Sequence, residues 1–445
     1  MASEIPQHGF RRSPLRWPGD CRSRPHRSTR SRGQHQAFPR RAAVNPVPPL
    51  TFNILDLGTA RTTLLQIRVA GGHMRYAGHV TLPTAGMRKG AVVALEAVAG
   101  RIRSAALALE RQTGTPVERV FLSLTGAQVR GLASQAGIAL TSRSREVTRE
   151  DARHVLDLAR TMTLPDDRQI LHVVPQEFVL DRQGGIHEPA GMLATRLEVR
   201  VYAITVAVGA KDNLVLAANH AGLEVEELIF APLADAEACL ATEDRYEGVA
   251  IVDAGAGSTT VLCYSQGSIT HAGSVAIGGD HFTNDLAIGL STPHAEAERI
   301  KCGFGVAMGA NIGETSVIEV PNIGEQSSRQ VPLRRISDCI EPRARELVRL
   351  LQVELAKAGG LGAGIVLCGG ASRLPGFSDL LAEATGMPVR DAAPTLVEAM
   401  PSAFAEPEYT FSVGACYYAH RLVARQQQQP TFWDKLRAKW ASLAD

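Results

Sequence analysis

The chain has 445 residues, 45% of them hydrophobic, 21% charged and 5% aromatic, with a formal net charge of +2. That length exceeds what one core organises, so two or more domains are expected, and the composition excludes a chain disordered throughout. The charge is unevenly spread: ten Arg against only Glu4 and Asp20 give the first 50 residues +8, leaving 37 basic and 43 acidic side chains in residues 51–445, which argues against nucleic acid as a partner of the folded body.

Residues 1–48 are rich in Arg, Ser and Pro, cannot build a core, and are expected to form a disordered tail. Such a tail is a solvated extension or a mis-called start, or else an arm for nucleic acid or anionic lipid or an organelle transit peptide. From Thr51 the pattern changes to "TFNILDLGTARTTLLQIRV", two β-rich runs around a Gly-Thr turn, which predicts a hairpin. A helix is predicted over about 89–112, a strand at "VERVFLSLTG", a short strand near 137–141 and a helix from Thr148, together read as an α+β insert over 84–165. The first lobe is thereby split into 49–83 and 166–245. Its second part holds a strand pair, 170–181 and 197–208, then a helix at 211–221, the strand "VEELIF" and a helix from Ala231.

A second lobe is predicted over 246–424. It opens on "GVAIVDAGAGSTTVLCYSQGSIT", a hairpin whose acid-before-glycine turn repeats the one at Asp56. Residues 279–310 read as helical, 311–335 as strand and loop, 336–358 as a long amphipathic helix, 364–370 as a buried strand and 411–424 as a closing helix. A linker at 425–430 releases residues 431–445. Seven scattered cysteines show no CxxC pair, and no run of roughly 18 apolar residues or secretory signal pattern is present, so reduced thiols and at most a peripheral membrane contact are expected.

Four short motifs carry the chemistry. "ILDLGTAR" and "IVDAGAGSTT" each put a carboxylate, Asp56 or Asp253, at a strand end directly before a Gly-rich turn. Glycine lets backbone approach a phosphate, and the amides with Thr or Ser hydroxyls form an anion nest. The carboxylates themselves would be repelled by phosphate and instead reach a magnesium ion through water. "IVLCGGASRLPGF" ends a strand in Gly369-Gly370, where a flat base can lie against backbone and Arg373 can stack on it. Glu298 and Lys301 fall on one helical face at i, i+3, either as ribose ligands or as a plain surface ion pair.

In this order the motifs resemble those of the actin, heat-shock-chaperone and sugar-kinase superfamily. Over residues 51–424, "LHVVPQEFVLDRQGGIHEPAGM", "AGLEVEELIFAPLADAEACL", "IGGDHFTNDLAIGLSTPHAEAERIK" and "IEPRARELV" resemble the FtsA family of bacterial cell-division proteins. The resemblance implies an α/β, actin-like two-lobed ATPase fold with a small α+β insert and a C-terminal amphipathic helix. It implies ATP and Mg2+ as ligands, phosphate and magnesium roles for Asp56, Gly58, Thr59, Arg61, Asp253, Gly255, Gly257, Ser258 and Thr259, and nucleoside roles for Gly279, Glu298, Lys301, Gly369, Gly370 and Arg373. Two positions depart from the family pattern. Arg61 stands where Lys is usual, and a planar fork is no simple substitute for a point charge. Ala231 stands where hydrolysing relatives carry a Glu or Gln that orients water, so slow hydrolysis at most is expected.

In "PTFWDKLRAKWASLAD" the side chains Phe432, Trp433, Leu436, Trp440 and Leu443 fall within an arc of about 100° on a helical wheel, with Lys435, Lys439 and Arg437 at its edges. This is the profile of an interfacial anchor, against the alternative of a helix docked on the protein's own body. One short anchor binds weakly, so stable attachment to membrane lipids needs several copies. The resemblance further implies self-assembly into filaments, contacts with later division proteins through the insert, and binding of the C-terminal peptide of the tubulin-like protein FtsZ through Arg329 and Arg343, for which a local pair with Glu346 is the alternative. The location implied is the cytoplasmic face of the bacterial membrane at the division site. Competing functions are a sugar kinase of the same fold, which requires a carboxylate base and no terminal anchor, and a PilM-type pilus-assembly platform lacking the Trp-bearing tail.

Overall fold

The computed structural model describes residues 50–141, 143–309, 316–322 and 327–427, without the side chains of 425–427. The basic tail, the linker and the expected terminal helix with Phe432, Trp433, Leu436, Trp440 and Leu443 lie outside them.

The chain runs through β1 (Leu50–Leu57), β2 (Arg61–Ala70), β3 (His73–Pro83), the small hairpin β4 (Met87–Arg88) and β5 (Ala91–Val92), α1 (Leu95–Thr113) and β6 (Arg119–Leu124). Then come β7 (Arg130–Ala139), β8 (Arg145–Glu146), α2 (Arg149–Arg160), β9 (Arg168–Leu180), β10 (Gln183–Ile186), β11 (Leu193–Ala194) and β12 (Arg196–Ala207). The first half closes with α3 (Val208–His220), β13 (Glu224–Phe230), α4 (Ala231–Cys239) and α5 (Thr242–Glu247). The second half holds β14 (Val249–Ala254), β15 (Thr259–Ser265), β16 (Ser268–Val275), α6 (Gly279–Gly289), α7 (His294–Phe304), β17 (Val317–Pro321), β18 (Ser328–Pro332) and α8 (Leu333–Leu355). It ends with β19 (Gly364–Cys368), α9 (Phe377–Thr385), β20 (Val389–Asp391) and α10 (Thr410–Gln427).

Two five-stranded sheets form the centres of the lobes, in the orders β3-β2-β1-β6-β13 and β16-β15-β14-β19-β20. In both, an antiparallel three-strand meander is extended by two parallel strands, so β1 corresponds to β14 and β6 to β19. The repeat glimpsed at Asp56 and Asp253 is therefore a repeat of whole sheets. Such parallel strands are covered on both faces. One face of the second sheet packs on α8, which buries Ile336, Ile340, Ala344, Leu347, Val348, Leu351 and Leu355 at helical spacing.

Pairing corrects the insert expected at 84–165. β6 joins β1 in parallel through Ile54↔Phe121 and Leu55↔Leu122, and α1 buries Val98, Ile102, Ala105 and Leu109 against Leu55, Leu64 and Leu122, so both belong to the first lobe. β9 and β12, read as lobe strands, instead make a sheet of order β10-β9-β12-β7. β12 pairs with β7 over ten residues, Arg196↔Ala139 to Thr205↔Arg130, and α2 adds Val155 and Ala159 to the insert's own core. The insert therefore runs from β7 to β12. Local periodicity predicts β6, β9 and β12, but only partner choice, a long-range matter, tells which sheet each joins.

The second lobe as read from sequence also ran too far. Val397, Met400, Phe404, Phe411, Val413 and Cys416 share a core with Phe52, Ile54, Ile229 and Ala234, so the end of the described chain packs onto the first lobe.

Candidate functional site

Both acid-before-glycine turns have one geometry. Gly58 N donates to Arg61 O at 2.9 Å, and Gly255 N donates to Ser258 O at 3.0 Å. A Cβ on either glycine would meet that same carbonyl, at 3.0 Å for Gly58 and 3.2 Å for Gly255. The turns face each other closely: a Cβ on Gly257 would lie 2.4 Å from Thr59 Oγ1. Between the lobes is a cleft of about 1000 Å³, ample for a nucleotide.

Asp56, Gly58, Thr59, Arg61, Asp253, Gly255, Gly257, Ser258, Gly279, Glu298, Lys301, Gly369, Gly370 and Arg373 all line this cleft. Thr259, expected among them, does not. Its side chain is fully buried and its hydroxyl donates to Ile277 O at 2.8 Å, because it is the first residue of β15 rather than the last of the turn.

Gly369 is held at φ +82°, and a Cβ there would stand 2.4 Å from Asp253 Oδ1, so the turn after β19 needs glycine. Lys301 Nζ donates to Glu298 Oε2 at 2.7 Å, to Thr283 Oγ1 at 3.0 Å and to Gly279 O at 3.3 Å. The pair thus ties α7 to the start of α6 and is more than a solvated surface bridge. Burial raises the Glu298 carboxyl, but its bonds from Lys301 and Thr283 outweigh this and hold it below the ordinary value.

Electrostatically the phosphate end is dominated by buried carboxylates. Burial pushes Asp56 up to about 6, against smaller downward pulls from Ser123 and Arg61. Asp253 is pushed up to about 7 by burial and then by the charge of Asp56. Asp235 on α4 is raised well above the carboxylate range, by burial first and then by Asp253. It is 1% exposed, lines the cleft, and its Oδ2 has no hydrogen-bond partner. Sequence reading passed over it, although one acid inside the otherwise apolar run "APLADA" is a visible signal. No group of three or more His, Cys, Asp and Glu among the described residues could hold a metal directly. Carboxylates raised by burial, with only the weaker pull of Arg61 on Asp56 as countercharge, suit a hydrated divalent cation held through its waters.

Glu408 was also missed. It accepts from Arg61 Nη1 at 2.7 Å and from Arg373 Nη1 at 2.8 Å, joining the first turn to the loop after β19. The Arg61 guanidinium lies 5.2 Å over the Tyr409 ring and so points to the glycine-pair end of the cleft.

Arg329 and Arg343 lie away from the cleft, on β18 and α8. Arg343 gives Nε and Nη2 to Asp285 at 2.8 and 3.2 Å and Nη1 to Glu346 at 2.6 Å. Arg329 donates to Asn322 Oδ1 at 2.8 Å and to Leu290 O.

A family model described as "Cell division protein FtsA" matches residues 250–414, and one for the SHS2 domain inserted in FtsA matches 126–205, close to the insert traced by strand pairing. The cell division protein FtsA of Pseudomonas aeruginosa is 35% identical over 368 residues, covering 82% of this chain and 88% of that protein. FtsA of Escherichia coli K12 is 32% identical over 375 residues, covering 82% and 89%. Among solved structures, a PilM-PilN type IV pilus biogenesis complex aligns with a TM-score of 0.59 at 18% identity, over 83% of this chain and 99% of that one. MreB5 of Spiroplasma citri bound to ADP aligns at 0.51 and 13%, over 85% and 98%. At such identities these two structures speak for the actin-like fold alone. With the relatives spanning both lobes and the insert, the chain belongs to the FtsA family of cell division proteins.

Proposed function

We propose that this protein binds ATP with Mg2+ between its lobes, assembles into actin-like filaments and tethers an FtsZ ring to the cytoplasmic membrane at the division site, while recruiting later division proteins. The observation that carries the nucleotide reading is the pair of equivalent turns, Gly58 to Arg61 and Gly255 to Ser258, facing each other across the cleft. Their free amides and hydroxyls would receive the phosphates, and Asp56 and Asp253 would hold the waters of the magnesium ion. That ion would neutralise phosphate charge beside buried carboxylates. The similarly folded MreB5 is described as bound to ADP, which supports a nucleotide here.

Ala231 opens α4 at the cleft and offers no group to orient water, so nucleotide acts chiefly as a conformational ligand. For the FtsZ peptide, Arg329 and Arg343 remain the proposed donors, and the peptide carboxylates would exchange with the internal acceptors Asp285 and Glu346. The membrane contact falls to residues 431–445; among the described residues no helix is long and apolar enough to cross a membrane.

The test is co-sedimentation with anionic liposomes of the full chain and of a chain ending at Gln426, with ATP and an FtsZ C-terminal peptide. The expected result is that the full chain sediments with the peptide and the shortened chain leaves it in the supernatant. Equal behaviour of both would sink the tether.

A further inference from the structure

The hairpin of β4 and β5 leaves the first lobe and lays its tip on both phosphate turns. Gly90 N donates to Thr59 Oγ1 at 3.1 Å, and a Cβ on Gly257 would lie 2.9 Å from Lys89 N and 2.8 Å from Lys89 Cα. Lys89 itself is held at φ +53°, a left-handed conformation that costs a non-glycine residue on the order of 1 kcal/mol. The surrounding contacts therefore keep a lysine where glycine would be easier.

Next to this tip is a second cavity of about 250 Å³, lined by Arg88, Lys89 and His281 together with Gly257, Asp280 and His294, and the last three also line the main cleft. Neither Arg88 nor Lys89 has an ion pair among the described residues. His281 Nδ1 accepts from Gly278 N at 3.1 Å, which leaves the proton of the neutral ring on Nε2 as a donor. One acid, Asp280, faces two cations and two imidazoles. Meanwhile the cation of the first turn is drawn away, since Arg61 is bonded to Glu408 at the other end of the cleft.

We propose that this annex is an anion subsite in which Lys89, assisted by Arg88 and His281, receives the terminal phosphoryl group of a nucleoside triphosphate or the orthophosphate derived from it, and so distinguishes triphosphate from diphosphate. The proposal rests on the nucleotide reading of the main cleft. Lys89 brings to the annex a point charge that Arg61, bonded to Glu408, does not, and the backbone contacts of the hairpin tip, Gly90 with Thr59 and Lys89 with Gly257, make it sense whether that phosphate is present.

The experiment is calorimetric titration of the full chain with AMP-PNP, with ADP, and with orthophosphate after saturation by ADP, all with Mg2+. Wild type is compared with Lys89→Gln and Lys89→Arg. The expected result is a loss of about tenfold in AMP-PNP affinity for Lys89→Gln, the scale of one charge-assisted hydrogen bond, with ADP unchanged and Lys89→Arg restoring part of the preference. Orthophosphate binding to the ADP form, lost in Lys89→Gln, would assign the subsite to the free ion as well; its absence would assign it to the bound terminal phosphate. Unchanged AMP-PNP binding, or an equal loss for both nucleotides, overturns the subsite. Wild type binding neither nucleotide overturns the reading of the main cleft and the subsite with it.

Discussion

Arg61 and Glu408 meet across the cleft at 2.7 Å, and the second oxygen of Glu408 takes Arg373 at 2.8 Å. One carboxylate thus fixes two guanidiniums that sequence alone assigns to opposite ends of a nucleotide. Burial raises the Glu408 carboxyl, but Arg373 and Arg61 outweigh it and keep the group ionised, below its ordinary value. Substituting Glu408→Gln would leave both forks without a fixed acceptor. Affinity for ATP, ADP and AMP is expected to fall alike, by roughly threefold to tenfold, because the lost order is at the nucleoside end. Titration with a fluorescent analogue of each nucleotide checks this. Tighter binding would mean that Glu408 instead shields the cleft from anions.

Asp235 should be destabilising in the absence of ligand. Its folded carboxyl is raised well above the usual range, while the unfolded carboxyl ionises near its ordinary value. Folding therefore retains or takes up a proton at neutral pH, and stability falls as pH rises above the unfolded pKa. Asp235→Asn removes this cost and is expected to stabilise the nucleotide-free protein by on the order of 1–3 kcal/mol at pH 8. The gain should shrink towards pH 4, where the unfolded carboxyl too is close to half protonated, near its ordinary value of 3.8. Urea denaturation at the two pH values decides it, and a pH-independent difference would contradict the assignment.

The local chemistry was more legible in the sequence than the long-range pairing. A strand ending in Asp and then Gly-x-x is a short-range pattern, so the residues of both turns and of the loop after β19 could be placed by number, and they line one cleft. Thr259 failed by one position, because the boundary between turn and strand is set by a hydrogen bond to Ile277, distant in the chain. The insert failed for a larger reason. β6 and β7 are separated by only a few residues, and nothing in their alternation says that one pairs with β1 and the other with β12. Glu408 follows Pro407 in a stretch without periodicity, and its role exists only once the last helix returns to the first lobe.

His172 gives a pH test independent of the site. It is buried, its Nε2 accepts from Phe230 N at 3.0 Å, and burial lowers its pKa to about 4. The unfolded ring, with an ordinary pKa near 6.5, binds a proton that the folded ring refuses. Stability is thus full above about pH 6.5 and is lost as pH falls towards 4, by on the order of 3 kcal/mol across that window. His172→Gln keeps an acceptor for Phe230 N without a titrating group. Its unfolding free energy should fall less steeply between pH 7 and pH 5 than that of wild type; parallel slopes would exclude His172 as the source.

Gly414 is the point where α10 crosses α4. A Cβ there would stand 1.8 Å from Ala234 O and 2.4 Å from Ala234 C, both backbone atoms that no rotamer change can move aside. Ala234 lies beside Asp235 in the helix that opens with Ala231 at the cleft, so relief of this clash has to shift the wall of the site itself. Gly414→Ala is expected to cost on the order of 3 kcal/mol and to weaken nucleotide binding along with stability. Gly100→Ala is the matched control: it lies inside α1, a Cβ there meets nothing within 4 Å, and helix propensity alone should stabilise by about 0.5–1 kcal/mol. Chemical denaturation of the two variants reads the difference directly. If Gly414→Ala unfolds with the midpoint of wild type, α4 and α10 can separate freely, and the wall carrying Asp235 is not fixed by the closing helix.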